Sequence, residues 1–291
     1  MYSPDQWEIL AEVASVGCIT LISLVFGRKL ASIEGPIHYV QVLLLTLYGL
    51  AWAFNLIACM LTSTNNGNFI SCVMTQFNVA LIATAAKIVL FLYFTEKIYI
   101  ISVPKAPRMQ THLYLLSLGL LVPLLGITII QIVFKVSVVE VDYPFHCIVG
   151  LELPASVVSL GYDALLAAMY SAIFIKFYCF PTTAQQTAHH SSSLHMMAKR
   201  NAMAAVLALA ALCANYIVLL CLNGSERGLV ASTSTAIALT SICFNIHWVT
   251  THPAESQLNE KALQRANGDK PYKLEIKQHQ EVVVLTEFNR A

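Results

Sequence analysis

Seven long apolar segments, separated by short polar stretches, constrain this chain more than any other feature of its sequence. A helix needs about 20 predominantly apolar residues to cross a bilayer, and each segment is close to that length. The segments cover residues 9–26, 39–61, 69–94, 113–134, 154–178, 202–222 and 229–250. Their apolar character does not alternate, which favours helices over the strands of a membrane barrel. We therefore predict an all-α, membrane-spanning bundle of seven helices.

Charged residues are scarce in the chain. Asp, Glu, Lys and Arg make up 11% of its 291 residues, and 57% of the residues are hydrophobic. A soluble domain carries about 25% charged residues, so this surface could not be solvated by water alone. The net charge of +1 gives no electrostatic basis for binding nucleic acid. The composition therefore excludes a soluble enzyme and a nucleic-acid binder. We expect an integral membrane protein whose main partner is the lipid bilayer.

Lys and Arg are distributed unevenly among the stretches that connect the segments. With the N-terminus outside, two of these residues, Lys135 and Arg227, fall on the outer side, and eight fall on the inner side. The eight are Arg28, Lys29, Lys97, Lys105, Arg108, Lys176, Lys199 and Arg200. The positive-inside rule then predicts an outer N-terminus and a cytosolic C-terminus. We expect a multi-pass protein of the plasma membrane, whose residues 251–291 form a cytosolic tail with a short amphipathic helix followed by disorder.

Two cysteines fall on the predicted outer side, where disulfides form. Cys72 lies at the outer end of the third segment, and Cys147 lies in the outer loop 136–150. A bridge between them would hold that loop over the mouth of the bundle. Two unrelated thiols are the alternative, and Cys59 and Cys221, near the outer ends of the second and sixth segments, are competing partners.

The third segment and the second outer loop resemble those of the G-protein-coupled receptors. In that family a Cys at the start of the third helix bonds a Cys in the second outer loop, which implies a Cys72–Cys147 disulfide. The family's Asp/Glu-Arg-Tyr motif is centred 25 positions after the first of these cysteines, where this chain has Glu96-Lys97-Ile98. The resemblance implies a cytosolic switch at Glu96 and Lys97. The alternative for Lys97 is a basic anchor at the inner membrane surface.

A second resemblance covers residues 162–250. Tyr162-Asp163, Lys199-Arg200-Asn201 and the loop 223–228 are similar in order and spacing to receptor-like membrane proteins of early-diverging fungi. This resemblance implies the seven-helix fold and no particular activity. The seventh segment contains no lysine, which excludes the Schiff-base chemistry of an opsin. We expect no cofactor and no metal.

Three ionisable residues, Glu12, Lys87 and Asp163, lie inside the apolar segments, where burial is expensive and usually reflects function. Lys87 belongs to the third segment and Asp163 to the fifth. The helical rise gives a difference of about 10 Å between their Cα depths, within reach of a lysine side chain if the two helices face each other. We predict an intramembrane ion pair that acts as a two-state latch. The alternative is that Lys87 extends toward the lipid headgroups.

Four side chains in the outer halves of the second and third segments are candidates for a ligand pocket open to the outside. They are Trp52, Asn55, Gln76 and Asn78. The alternative is that their polar groups join neighbouring helices by hydrogen bonds.

These features favour a receptor that senses an extracellular or membrane ligand and signals to a cytosolic transducer, with a heterotrimeric G protein as the candidate. A small-solute transporter or channel is the alternative, in which Pro123, Gly126 or Gly161 would break a helix near mid-membrane. A membrane-embedded hydrolase would need clustered His and Asp. Asp163 and His247 fall near different faces of the membrane, so we expect no enzyme.

Overall fold

Seven helices that are long and apolar enough to cross a membrane make up most of the described protein, and we number them in chain order. The computed structural model describes residues 6–33, 39–64, 68–102, 108–139, 147–181, 191–221 and 226–252. The helices span Gln6–Ala31, Tyr39–Thr64, Phe69–Ser102, His112–Val133, Leu153–Cys179, Ser191–Cys221 and Gly228–Thr250. The predicted all-α bundle is confirmed. The tail after residue 252, with its predicted amphipathic helix, lies outside the described residues.

Several helices extend beyond their apolar segments. Helix 6 begins at Ser191 rather than at residue 202, and its added turns bury Leu194 and Met197 in the core. The basic residue Lys199 is exposed on the same turns. A charged residue ends a run of high hydropathy, but it does not interrupt the backbone hydrogen bonds of a helix. The sequence therefore predicted the positions of the spans better than their ends.

Helix 3 contains a π-helical segment, Asn78–Ile82, between two α-helical parts. At its first residue, Asn78 Nδ2 donates a hydrogen bond of 3.2 Å to the Phe54 carbonyl of helix 2. π-helical segments are rare and often occur at functional sites. This one lies between Cys72 and Lys87, so it sets the helical register between the disulfide end of helix 3 and its buried charge.

Helix 4 is interrupted at Leu120 and Leu121, two to three residues before the predicted break at Pro123. Proline has no backbone N–H, so Pro123 cannot bind the Gly119 carbonyl. The Leu124 N–H then bonds to the Leu121 carbonyl at 3.1 Å. This shorter bond leaves the Leu120 carbonyl without its usual partner in the helix.

Three short strands form a sheet at the predicted outer end of the bundle. They are β1 (Lys135–Val139), β2 (Cys147–Leu151) and β3 (Glu226–Arg227), paired antiparallel in the order β1-β2-β3. β1 follows helix 4, β2 precedes helix 5, and β3 directly precedes helix 7. The sheet therefore joins the connection between helices 4 and 5 to the start of helix 7.

Aromatic rings fill the interface between helices 3 and 5. Phe91 stacks on Tyr170 with ring centroids 5.4 Å apart, and Phe94 meets Phe174 edge to face at 5.8 Å. Lipid tails are as apolar as these rings, so close packing rather than exclusion of water stabilises the contact. The rings place the helix 5 side chains described below directly against helix 3.

Candidate functional site

Helix 5 carries polar side chains that reach helices 3, 4 and 6. The hydrocarbon core offers no water, so such groups need partners within the protein. Ser159, for example, accepts a hydrogen bond of 3.0 Å from Gln131 of helix 4, and both side chains are buried. The partners of Tyr162, Asp163 and Tyr170 make helix 5 the centre of the candidate site.

Asp163, Lys87 and Tyr216 form a closed triangle of hydrogen bonds where helices 3, 5 and 6 meet. Lys87 Nζ lies 2.7 Å from Asp163 Oδ2 and 2.8 Å from Tyr216 Oη. Tyr216 donates its hydroxyl hydrogen to the same Asp163 oxygen at 2.7 Å. All three residues are buried. The structure thus brings together the two residues of the predicted ion pair, and Lys87 does not extend toward the headgroups.

The triangle is neutral overall, and each charge in it has two partners. An unpaired ion in a protein interior costs several kcal/mol, on the order of the gain from a good ion pair. Tyr216 offsets part of this cost because its oxygen accepts from the ammonium of Lys87 while its hydrogen binds the carboxylate of Asp163. Removing one member would leave a buried charge or donor with fewer partners, so the stability of each contact depends on the other two.

Tyr216 was not identified from the sequence. It lies in a long apolar run of helix 6, where a tyrosine contributes to hydropathy much as other large side chains do. A buried tyrosine usually places its hydroxyl against a polar partner. Since Lys87 and Asp163 were already expected in the membrane interior, that rule was the one available signal.

Two tyrosines of helix 5 contact carbonyls at the interruption of helix 4. Tyr162 donates a hydrogen bond of 2.7 Å to the Leu120 carbonyl, which lacks its helical partner. Tyr170 Oη lies 3.5 Å from the Ser117 carbonyl and 2.7 Å from the Thr95 hydroxyl of helix 3. Because Tyr162 directly precedes Asp163, the interruption and the charge triangle are held by neighbouring residues of one helix.

The three predicted pocket amides are buried. Asn55, Gln76 and Asn78 are each 4% exposed or less. Asn55 Nδ2 donates to the Ala51 carbonyl at 2.7 Å, and Asn78 Nδ2 donates to the Phe54 carbonyl. The bond from Asn78 connects helix 3 to helix 2, as the alternative interpretation predicted, whereas the bond from Asn55 stays within helix 2.

Trp52 is not part of this buried group. It is 38% exposed on the surface of helix 2, whereas its neighbour Ala51 is fully buried. Helix 2 packs the face that contains Ala51 and Asn55 against the other helices, and Trp52 consequently lies on the outside of the bundle rather than in its interior. The expectation that Trp52 and the three amides line one open pocket is corrected accordingly.

Glu96 and Lys97, the candidate switch, are buried with 1% and 0% of their surface exposed. Lys97 Nζ lies 5.4 Å from the ring centroid of Tyr93, one turn earlier in helix 3. The helix continues to Ser102, so both charged residues lie within the bundle. This burial is not what an anchor at the membrane surface would show, and the switch function stays a prediction.

The disulfide between Cys72 and Cys147 joins the start of helix 3 to β2. Cys59 and Cys221, the competing partners, are free thiols. Cys147 and Val149 of β2 form a small buried cluster with Cys72 of helix 3. The predicted pairing is confirmed, and it links helix 3 covalently to the sheet that also joins helices 4, 5 and 7.

Basic side chains connect helices 1 and 6 to the end of helix 7 at the predicted cytosolic side. Arg200 donates a hydrogen bond of 3.1 Å to the Trp248 carbonyl, and its guanidinium lies 4.4 Å from the Trp248 ring centroid. Lys29 Nζ donates to the Thr250 carbonyl at 3.4 Å. Cations near the C-terminus of a helix satisfy its last carbonyls and interact favourably with its dipole. Two residues used as topology signals therefore also hold the bundle together.

Comparison with protein-family models finds none that matches this chain, and comparison with curated proteins finds no match either. The function must therefore be inferred from the geometry of the bundle. The resemblance to the G-protein-coupled receptors stays a prediction. Within the part of the chain that the structure describes, no group of three His, Cys, Asp or Glu side chains is placed to hold a metal ion.

Proposed function

We propose that this chain is a seven-helix membrane receptor that senses an extracellular or membrane ligand and signals to a cytosolic transducer. The triangle of Lys87, Asp163 and Tyr216 is the observation that carries the proposal. It joins three helices through short, directional contacts that are either made or broken. A bundle joined in this way can have two discrete packings, which is the requirement for a switch.

In the described packing the three groups satisfy one another, so this packing is the proposed resting state. A ligand shifts the equilibrium only by the difference between its affinities for the two states. Moving the population from 1:99 to 99:1 takes about 5.5 kcal/mol of differential binding. Removing one partner of a buried ion pair costs about 3–5 kcal/mol. The contacts of the triangle therefore favour the resting state by an amount that a ligand with this differential affinity can offset.

Helix 3 provides the proposed route to the cytosolic side. It carries Lys87 and, ten residues later, the buried Lys97 with Glu96 beside it. The helical rise separates Lys87 and Lys97 by about 15 Å along the axis. Any rotation or shift of helix 3 that separates Lys87 from Asp163 would therefore also move Glu96 and Lys97. A heterotrimeric G protein is the candidate transducer, since the resemblance of the third segment implies it.

The test is nucleotide exchange by purified G-protein heterotrimers added to vesicles that contain the full chain. Lys87→Met and Asp163→Asn should raise the basal exchange rate, because each removes a contact of the resting state. Leu165→Ala is the matched control on helix 5, since Leu165 is exposed to lipid. Exchange that is identical in empty vesicles and in vesicles with the chain, for every heterotrimer offered, would contradict the proposal.

A small-solute transporter or channel is the second candidate, and the same ion pair favours it. Paired charges inside the membrane also occur along ion and proton pathways. Solute or proton flux into vesicles that contain only this chain would support this candidate. Flux that disappears in Lys87→Met, together with an absence of nucleotide exchange, would replace the receptor proposal by the transporter.

A further inference from the structure

Basic side chains of helices 1 and 7 converge at the predicted cytosolic end of the bundle. Arg28 and Lys29 lie in the last turn of helix 1, and His247 lies in the last turn of helix 7. Lys29 Nζ binds the Thr250 carbonyl, which connects the ends of the two helices. Both cations of helix 1 lie close enough to the His247 ring for their charges to act on it. We call Arg28, Lys29 and His247 the basic site.

The described residues supply no carboxylate to the basic site. Their acidic side chains lie in the outer half of the bundle or buried in its interior, namely Glu8, Glu12, Glu96, Glu152, Asp163 and Glu226. Arg28 is exposed, and within the described part of the chain it forms no ion pair and no side-chain hydrogen bond. Because like charges at close range repel each other, the basic site favours a bound anion.

We propose that the basic site binds the anionic headgroup of a membrane phospholipid. Its cations lie at the ends of two helices that are long and apolar enough to span the bilayer, where headgroups replace hydrocarbon. Anionic lipids give the cytosolic leaflet its negative surface potential, and basic pockets between helices on that side bind their headgroups. A guanidinium can donate two parallel hydrogen bonds to one phosphate, so Arg28 is the main phosphate ligand. The basic site lies apart from the charge triangle and does not rest on the proposed function.

The surface of helix 1 next to Arg28 favours a lipid over a soluble phosphate compound. Leu24 and Leu21 precede Arg28 by four and seven residues, so the three side chains lie on one stripe of the helix. Both leucines are exposed. A phosphate bound to Arg28 therefore has apolar surface directly beside it on the membrane side, where the acyl chains of a phospholipid extend. A soluble phosphate ester has no group to place there.

The test is native mass spectrometry of the full chain, purified in detergent and titrated with phosphatidylserine or with phosphatidylcholine of the same acyl chains. We expect phosphatidylserine to bind several-fold more tightly, because its headgroup alone carries a net negative charge. Arg28→Gln should weaken phosphatidylserine binding by about fivefold, the effect of one basic residue near an anionic lipid surface. Arg28→Lys keeps the charge but not the planar fork, so its effect should be smaller.

Lys176→Gln is the matched control. Lys176 is also exposed, in the last turn of helix 5 and on the same predicted side, and its substitution removes the same charge. It should leave phosphatidylserine binding unchanged. Equal weakening in Arg28→Gln and Lys176→Gln would show a general attraction between basic residues and anionic lipid, and equal binding of the two lipids would show no headgroup preference. Either result would overturn the basic site as a lipid site.

Glycerophosphoserine, which is the same headgroup without acyl chains, distinguishes a lipid from a soluble phosphate ester. At a concentration equal to that of phosphatidylserine it should displace little of the bound lipid, because it makes no contact with the leucine stripe. Complete displacement would contradict the assignment to a lipid. None of these measurements involves a G protein, so they support or overturn the basic site whether or not nucleotide exchange is observed.

Discussion

Tyr216 donates its hydroxyl hydrogen to Asp163 Oδ2, the oxygen that also binds the ammonium of Lys87. Tyr216 Oη and Lys87 Nζ each lie 2.7 Å from this oxygen. Helix 6 is thereby attached to a charge pair formed between helices 3 and 5. Two donors on one carboxylate oxygen share the same negative charge, so the strength of each bond depends on the other. This coupling gives the first two predictions.

Tyr216→Phe should lower the free energy of unfolding by about 1–3 kcal/mol, because it removes a hydrogen bond to a charged group and keeps the ring. Thermal denaturation in detergent micelles measures the effect. Ile217→Val is the control, since Ile217 is the neighbouring residue and is 55% exposed. If both variants unfold at the same temperature, Tyr216 does not support the ion pair.

Asp163→Asn and Lys87→Met should each destabilise the protein, by about 3–5 kcal/mol, because each leaves the opposite charge buried without its main partner. The double variant should lose less than the sum of the two single losses, since it leaves neither charge behind. The denaturation midpoints of the original chain, the two single variants and the double variant together give a double-mutant cycle. Strictly additive losses would mean that the two charges do not stabilise each other.

Cys72→Ser, Cys147→Ser and the double variant should be destabilised to the same extent, by about 2–5 kcal/mol, because one disulfide is lost in each. Peptide mapping without reductant should recover the two cysteines in one linked fragment. Cys179→Ser removes an exposed free thiol and should change neither stability nor the map. Linked fragments that contain Cys59 or Cys221 instead would contradict the pairing.

Tyr162→Phe should destabilise the interruption of helix 4 by about 1 kcal/mol, because the Leu120 carbonyl loses its donor. The loss should be smaller in a Pro123→Ala background. Alanine at position 123 has a backbone N–H that can bond to the Gly119 carbonyl, and it lacks the proline ring that clashes there. The helix can then continue regularly, so that the Leu124 N–H bonds to the Leu120 carbonyl. Equal losses in the two backgrounds, measured by thermal denaturation, would mean that Tyr162 does not compensate for the proline.

An epitope tag at the N-terminus should be accessible to antibody on intact cells, and a tag at the C-terminus only after permeabilisation. The expectation follows from an odd number of spans and from the inner excess of Lys and Arg. Both tags on the same face would contradict the seven-span topology. Two tags in the reverse arrangement would contradict the orientation alone and move the predicted switch at Glu96 and Lys97 outside.

The spans and the ion pair were predictable because the cost of placing polar groups in hydrocarbon is large and local. Lys87 and Asp163 stood out as charges within apolar segments, and burial left them few alternatives to pairing. The same reasoning could not predict the start of helix 6 at Ser191, since hydrogen bonding continues where hydropathy falls. It also overlooked Tyr216, which has no charge to mark it.

Local backbone geometry was the least accessible from sequence. Pro123 indicated a weak point, but the sequence did not show that the interruption lies at Leu120 and Leu121 or that Tyr162 of helix 5 binds the Leu120 carbonyl. Gly161 was an equal candidate for a break, yet helix 5 is continuous through it. Nothing in the residues Asn78–Ile82 indicates a π-helical segment, because its hydrogen-bond pattern depends on how helix 3 packs against its neighbours.

The sheet and the Cys72–Cys147 bond fasten helices 3, 4, 5 and 7 together at one end. If one of these helices tilts while that end stays fixed, its displacement grows with distance from the disulfide. The largest displacement would then fall at the opposite end of the bundle, where Arg200 contacts Trp248, and such a tilt would have to break or carry along this contact.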